Sequence, residues 1–231
     1  ITSLSLDHTA ILGDTLQQIA FEKCGTLKKG CKAVSSYGQP EEALNVIKST
    51  VESMQGELVV PSEYDIKVIK SDLFGTQFTY GGVKYIVTMP GVHQLKNMTC
   101  VIEACEFLKA DFNITEDHIQ KGIAKTILPA RVEVLSASPL VVLDGGHNAD
   151  GAKAFYEAVE EEISKKDRVI VIAGMMADKE VEASLMPLMK KTDVFLAVTP
   201  QNPRAMKATE LSAIAKRHNL FLVVDASQTA G

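Results

Sequence analysis

Apolar and polar positions alternate at period two over ITSLSLD, which predicts a strand that delivers Asp7 and His8 at its carboxyl end. The period then changes. From Asp14 to Lys23, Leu16, Ile19 and Ala20 recur at helical spacing, with Asp14 or Thr15 as cap and Gly25 just beyond, so Lys23 falls near that helix's carboxyl end. Ala33 to Ser36 predicts a short strand. Gln39-Pro40-Glu41-Glu42 ahead of Ala43, Val46, Ile47 and Val51 predicts a capped amphipathic helix closed by Gly56. Between Glu57 and Pro90 the runs LVV, IKVIK, TQFTY and KYIVTM, broken by Gly75 and by Gly81-Gly82, predict short antiparallel strands and hairpins. Helical spacing returns from Leu95 to Ala110, and again from Thr115 to Lys125 with Glu116 and Asp117 in the first turn.

Pro129 and Pro139 bracket a predicted crossover, after which the alternation becomes regular. LVVLD, RVIVIAG, DVFLAVT and LFLVVD are separated by helices from Asp150, around Leu185 to Met189, and from Ala208 to Arg217. Short Val/Ile/Leu-rich runs between helices predict a parallel sheet covered on both faces. The fold class is therefore α/β: a first part with an antiparallel β section, a boundary between Thr126 and Ser138, and a smaller second part with a mainly parallel sheet.

Composition narrows the partners. The chain has 231 residues, a formal charge of −5 and no dense Lys/Arg run, which argues against nucleic acid or an anionic membrane as partner and for small molecules. Cys24, Cys31, Cys100 and Cys105 lack C-x-x-C spacing, so a reducing cytoplasm is the expected setting. No run of about eighteen apolar residues occurs, and the start lacks both the regions of a signal peptide and an initiating methionine, so further sequence is expected ahead of it.

In open parallel sheets, ligands bind beyond the carboxyl ends of strands, where loops and helix amino termini converge. Asp144-Gly145-Gly146-His147-Asn148 stands there, directly after LVVLD. Its glycines let the backbone approach a ligand, Asp144 can accept from a hydroxyl pair such as a ribose, and His147 and Asn148 can stack or donate. A capping turn with an incidental histidine is the competing reading. Gly91-Val92-His93-Gln94-Leu95-Lys96-Asn97 opens a helix on a Pro-Gly turn, where amide donors and Asn97 could hold a base or a phosphate, although a plain helix start explains it as well. His8 can ligate a divalent cation. A Lys23 kept neutral by burial could take up carbon dioxide as a carbamate, turning a cation into an anion. The plainer alternatives are a structural histidine and a Glu22–Lys23 pair. Gly174-Met175-Met176-Ala177-Asp178-Lys179 and Pro200-Gln201-Asn202-Pro203-Arg204 follow two further strands, and Arg204 is placed either to grip a carboxylate or to stand exposed in a turn. Three consecutive polar strand-end loops point to one shared cleft.

The stretches SLDHTAILGDTLQQIAFEKCG, PGVHQLKNMTCVIEA, LPARVEVL, VVLDGGHNADG, IAGMMADKE and VTPQNPRAM come in the order found in the folylpolyglutamate and dihydrofolate synthase branch of the Mur ligases. The chain resembles that branch over nearly its whole length. The resemblance implies that residues 1–127 are the carboxy-terminal part of a central ATP-binding domain and residues 128–231 a Rossmann-like glutamate ligase domain. It implies a ligase in which ATP phosphorylates a carboxylate, the amino group of glutamate attacks the acyl phosphate, and phosphate leaves. His8 then resembles a magnesium ligand, Lys23 the lysine carbamylated in the family, Asn97 and His147 the residues beside adenine, Asp144 the ribose partner, and Arg131 a cation reaching the ATP phosphates. Lys23, Asp144 and His147 are thereby the catalytic candidates, and Arg204 remains a candidate for substrate glutamate. ATP and Mg2+ are the implied cofactors, folate or dihydropteroate and L-glutamate the implied substrates, and a monomer the expected state.

The chain departs from the family pattern at Cys24 and Gly146, where alanine is common, at Ala130 in place of the glycine of Pro-Gly-Arg, and at Ala149 in place of proline. It contains no G-x-x-x-x-G-K-[ST] loop, so the chain by itself is not expected to turn over ATP. Another Mur-type amino-acid ligase with a different acceptor, and a non-catalytic module that binds nucleotide or glutamate, are the alternatives.

Overall fold

The structure is a computed structural model that describes residues 1–6, 12–146, 148–163, 167–218 and 223–225. The chain divides into two compact units, Ile1–Pro129 and Ala130–Gly231. Each has its own core.

In the first unit, helix α1 (Leu16–Cys24) starts in a capping box in which Thr15 and Gln18 satisfy each other's backbone N–H groups. Strand β1 (Lys32–Val34) pairs in parallel with β2 (Glu57–Val59) through helix α2 (Glu41–Ser53), so LVV belongs to a parallel pair and not to the antiparallel section. Ala20, Cys24, Ala33, Ala43, Ile47 and Val51 bury the contact between these elements. Residues 1–6 do not form the expected strand: they have no strand pairing, although the Ile1 carbonyl accepts from Ser36 N at 2.9 Å and the Ile1 ammonium donates to Val34 O at 2.6 Å. The reason is local. Beyond those two bonds at Ile1 the side chain of Gln39 takes over, accepting from Leu4 N at 2.9 Å and donating to Thr2 O at 2.9 Å.

Strands β3 (Ile66–Asp72), β4 (Gly75–Tyr80) and β5 (Val83–Val87) form the expected antiparallel meander. Helices α3 (His93–Phe112) and α4 (Glu116–Lys125) cover its apolar face, with Phe78, Tyr85, Val87, Leu95, Ile102 and Ile119 in the shared core. Two tyrosines fix the sheet to the helices: Tyr80 Oη donates to Glu103, and Tyr85 Oη donates to Glu116 Oε1 at 2.5 Å. Burial, and then the carboxylate beside each hydroxyl, pushes both phenols above the ordinary tyrosine range. A raised folded-state pKa contributes stability that is fully present below the unfolded value, about pH 10, and is lost as pH rises beyond it. Urea unfolding between pH 9 and 11, roughly spanning that value, should therefore show stability falling, and a Tyr80→Phe/Tyr85→Phe protein should show a flatter decline. An equally steep decline in the double variant would rule the phenols out as its source.

In the second unit, β6 (Glu133–Ala137) and β7 (Leu140–Leu143) form an antiparallel hairpin. This corrects the expected crossover between Pro129 and Pro139, and it takes LVVL out of the parallel sheet. A two-residue connection closes a local pair at small entropic cost, whereas parallel pairing needs a long return. The parallel sheet comprises β8 (Ile170–Ala173), β9 (Val194–Ala197) and β10 (Val223–Asp225), in the order β10-β9-β8. Helices α5 (Ala149–Glu160), α6 (Val181–Met189) and α7 (Ala208–Arg217) alternate with these strands. Phe195, Ala197, Leu185 and Leu211 lie at the centre of the core.

Candidate functional site

The loop after β7 is built around Asp144. Its Oδ1 accepts from Gly146 N at 2.6 Å and its Oδ2 from Val132 N at 2.9 Å. Gly146 is tolerated here because it has no side chain, since a Cβ would stand 2.6 Å from Asp144 Oδ1. Asn148 caps α5, its Oδ1 accepting from Gly151 N at 2.7 Å, which commits the acceptor of the amide and not its donor. His147, the nucleotide and catalytic candidate of this loop, lies outside the described residues.

Arg131 stands on the turn that Asp144 grips. Its side chain is exposed, while Ala130 and Val132 on either side both have left-handed backbones, with φ of 55° and 51°. A glycine would adopt such angles freely, whereas a β-branched residue there is strained. Three bonds hold the turn: Ala130 N donates to Glu133 Oε2 at 2.8 Å, Gly145 N donates to Ala130 O at 2.7 Å, and Val132 N donates to Asp144. Glu133 was not among the residues expected to matter. The sequence signal for it was the alanine in a Pro-Gly-Arg position, which marks a turn in need of anchoring.

Asp144 and Gly146 line a cavity of about 210 Å³ together with Gly174 and Met175 from the end of β8. Two of the three polar strand-end loops thus meet. The third is stitched to the second by backbone, with Ala177 N donating to Arg204 O at 2.8 Å and Met206 N to Met175 O at 2.9 Å. Arg204 does grip a carboxylate, but that of Asp178, through Nη1 at 3.0 Å. Substrate glutamate would have to displace it.

In the first unit, α3 opens after Gly91, whose φ is 94°. Asn97 donates through Nδ2 to Gln94 Oε1 at 2.9 Å, and Gln94 in turn pairs with His93. The Lys96 ammonium lies 5.3 Å from the centre of the Tyr37 ring, so the loop after β1 and the first turns of α3 share one polar surface. Lys23 is exposed on the last turn of α1. Burial, the premise for its neutrality, is absent there, because the apolar side of α1 turns Ile19, Ala20 and Cys24 inward and leaves Lys23 outside. His8, the metal candidate, lies outside the described residues.

Comparison with known proteins shows what these features resemble. Residues 130–230 match the model described as Mur ligase, glutamate ligase domain. The chain is 30% identical over 222 residues to a folylpolyglutamate synthase of Lacticaseibacillus casei, covering 93% of this chain and 51% of that protein. Its fold superposes on the Mycobacterium tuberculosis folylpolyglutamate synthase complexed with ADP with a TM-score of 0.80 at 22% identity, over 99% of this chain and 54% of the other. It superposes on an FPGS–AMPPCP–folate complex with a TM-score of 0.74 at 26% identity, over 96% and 56%. The chain spans about half the length of the curated relatives it matches. Over both units the chain is similar to folylpolyglutamate and dihydrofolate synthases, and residues 130–230 match the glutamate ligase domain of the Mur ligases.

Proposed function

We propose that this chain supplies part of an ATP-dependent ligase that joins L-glutamate to a folate, with dihydropteroate as a second acceptor. The observation that carries the reading is likeness to one ligase branch across both units, rather than across a single transferable domain. Residues 1–127 act as part of the ATP-binding domain and residues 128–231 as the glutamate ligase domain. The γ-phosphoryl group of ATP passes to the acceptor carboxylate and ADP leaves. The glutamate amine then attacks the acyl carbon, forming the amide and releasing phosphate and a proton. Such chemistry depends on positioning and charge neutralisation more than on covalent help from the protein.

Asn97 and His147 serve the adenine, Asp144 the ribose, and Arg131 the phosphates. Magnesium, when bound, neutralises phosphate charge. His8, the ligand that likeness to the branch implies, would hold the ion beside the nucleotide's own oxygens; among the described residues no group of three His, Cys, Asp or Glu side chains could hold a metal ion. Lys23 enters the reading only through the likeness to the branch, as the lysine that would be carbamylated beside the metal; its exposed place on α1 supplies no burial to keep the amine neutral. Arg204 exchanges Asp178 for a carboxylate of glutamate. The reading places the whole protein in a reducing cytoplasm, where its cysteines stay as thiols.

The test is incorporation of labelled glutamate by the whole protein that contains this chain, with ATP, magnesium and either folate or dihydropteroate. Acceptor-dependent incorporation is expected, and its absence with both acceptors overturns the reading. For the chain alone, calorimetry showing ATP affinity without hydrolysis would favour the non-catalytic nucleotide-binding module, and no affinity would mean that a phosphate-binding loop outside this chain carries the binding.

A further inference from the structure

We infer that Glu133 is a positioning residue for Arg131: its carboxylate, with that of Asp144, holds the strained turn that presents the guanidinium. The inference rests on the reading above, in which Arg131 meets the ATP phosphates. It starts from an arrangement that burial does not explain. Arg131 is exposed and needs no special backbone to reach solvent, yet residues on both sides of it occupy the left-handed region. Val132 is 2% exposed, β-branched and at φ 51°, a combination that persists only where the surroundings over-determine it. The surroundings are three hydrogen bonds made by residues 130–133, one closing on Glu133 and two reaching the Asp144–Gly145 loop.

The division of labour among these bonds is specific. Gly145 N and Asp144 Oδ2 tie the turn on both sides of Arg131 to the candidate nucleotide loop. Glu133 does something different. It reaches back from the first position of β6 to the N–H of Ala130, three residues earlier, and so closes the turn on itself. A carboxylate that accepts one backbone N–H here, at 2.8 Å, can be replaced in that role by an amide oxygen of the same reach. It cannot be replaced by a shorter acid. A guanidinium held this way needs no reorganisation when phosphate charge arrives, which is where preorganised donors gain their effect.

The experiment uses the whole protein and compares Glu133→Gln, Glu133→Asp and Glu133→Ala in wild-type and Arg131→Ala backgrounds, reading kcat, the KM for ATP and the melting temperature. Glu133→Gln is expected to stay within about threefold of wild type in kcat, and Glu133→Asp and Glu133→Ala to fall roughly 10- to 30-fold, an effect of the size a misplaced catalytic group produces. In the Arg131→Ala background the same substitutions should cost nothing further, since the residue they position is gone. A merely structural role predicts equal penalties in both backgrounds, tracking the melting temperature, and that result overturns the inference. So does the opposite order, with Glu133→Asp active and Glu133→Gln impaired, which would make charge and not reach the relevant property. The Gln and Asp comparison decides the matter even if Glu133→Ala does not fold. A silent Arg131→Ala would instead remove the functional reading on which this one rests.

Discussion

Replacing Phe78 with alanine is expected to lower the unfolding free energy by about 3–5 kcal/mol, the range for truncating a buried phenylalanine. Phe78 is fully buried in the middle of β4 and stacks on Tyr85 of β5, with ring centroids 5.6 Å apart and planes at 27°. The loss has three parts: the transfer of the ring, the cavity that helix α3 cannot collapse into, and the contact with Tyr85. Tyr85 also donates to Glu116 at the start of α4, so a shift of its ring would loosen the junction of sheet and helix as well. Phe74, two-thirds exposed at 67% in the turn before β4, is the control, and its alanine variant should stay within about 0.5 kcal/mol of wild type. Urea unfolding followed by circular dichroism measures both. A Phe78→Ala loss below about 1 kcal/mol would mean that this core repacks freely, contrary to the density expected of protein interiors.

How much of this could be read along the chain depends on the range over which each feature is determined. Helix ends are set within a few residues, and Thr15, Thr115 and the Lys125 end of α4 all fell where capping chemistry places them. The meander was legible for the same reason, because Gly81-Gly82 and the residues around Gly75 mark its turns locally. Pairing partners are another matter. The run LVVL has the same apolar character in a hairpin with β6 as in a parallel sheet, and only the neighbour across the Ser138-Pro139 turn decides between them. The opening strand failed likewise, since no period reveals that Gln39 would capture the backbone that β pairing requires.

The candidate site divides along the same line. Motif positions identified Asp144, Gly146 and Gly174, and these do line one cavity. Side-chain partners were not legible: Asn148 turned to its helix, Arg204 to Asp178, and Asn97 to Gln94. Lys23 shows the limit of reading burial from apolar neighbours in sequence, because on a helix residues i and i+1 face different directions, and Cys24 took the inward place. The left-handed Val132 was the least legible feature of all. Nothing about valine invites that conformation, and it exists because Asp144, twelve residues later, accepts its N–H.

That dependence on a distant carboxylate leads to the largest functional effect expected. Arg131→Ala in the whole protein should reduce kcat for ATP-dependent glutamate ligation by about 10²–10³-fold, the loss seen when one preorganised donor to developing charge is removed. The fold should be unaffected, since the side chain is exposed and its alanine retains the backbone N–H and C=O of the turn. Lysine should restore little of the rate. It keeps the charge but not the planar fork of donors, and its ammonium is more strongly hydrated, so it is a poorer match for phosphate oxygens held at fixed positions. The loss should fall on kcat and on the KM for ATP, while the KM for glutamate stays near wild type, because Arg204 and Asp178 lie on other loops of the second unit. Steady-state kinetics with each substrate varied in turn separates these outcomes. Activity within about threefold of wild type, or a defect confined to the KM for glutamate, would show that Arg131 does not meet the phosphates, and the strained turn beneath it would then need a different purpose.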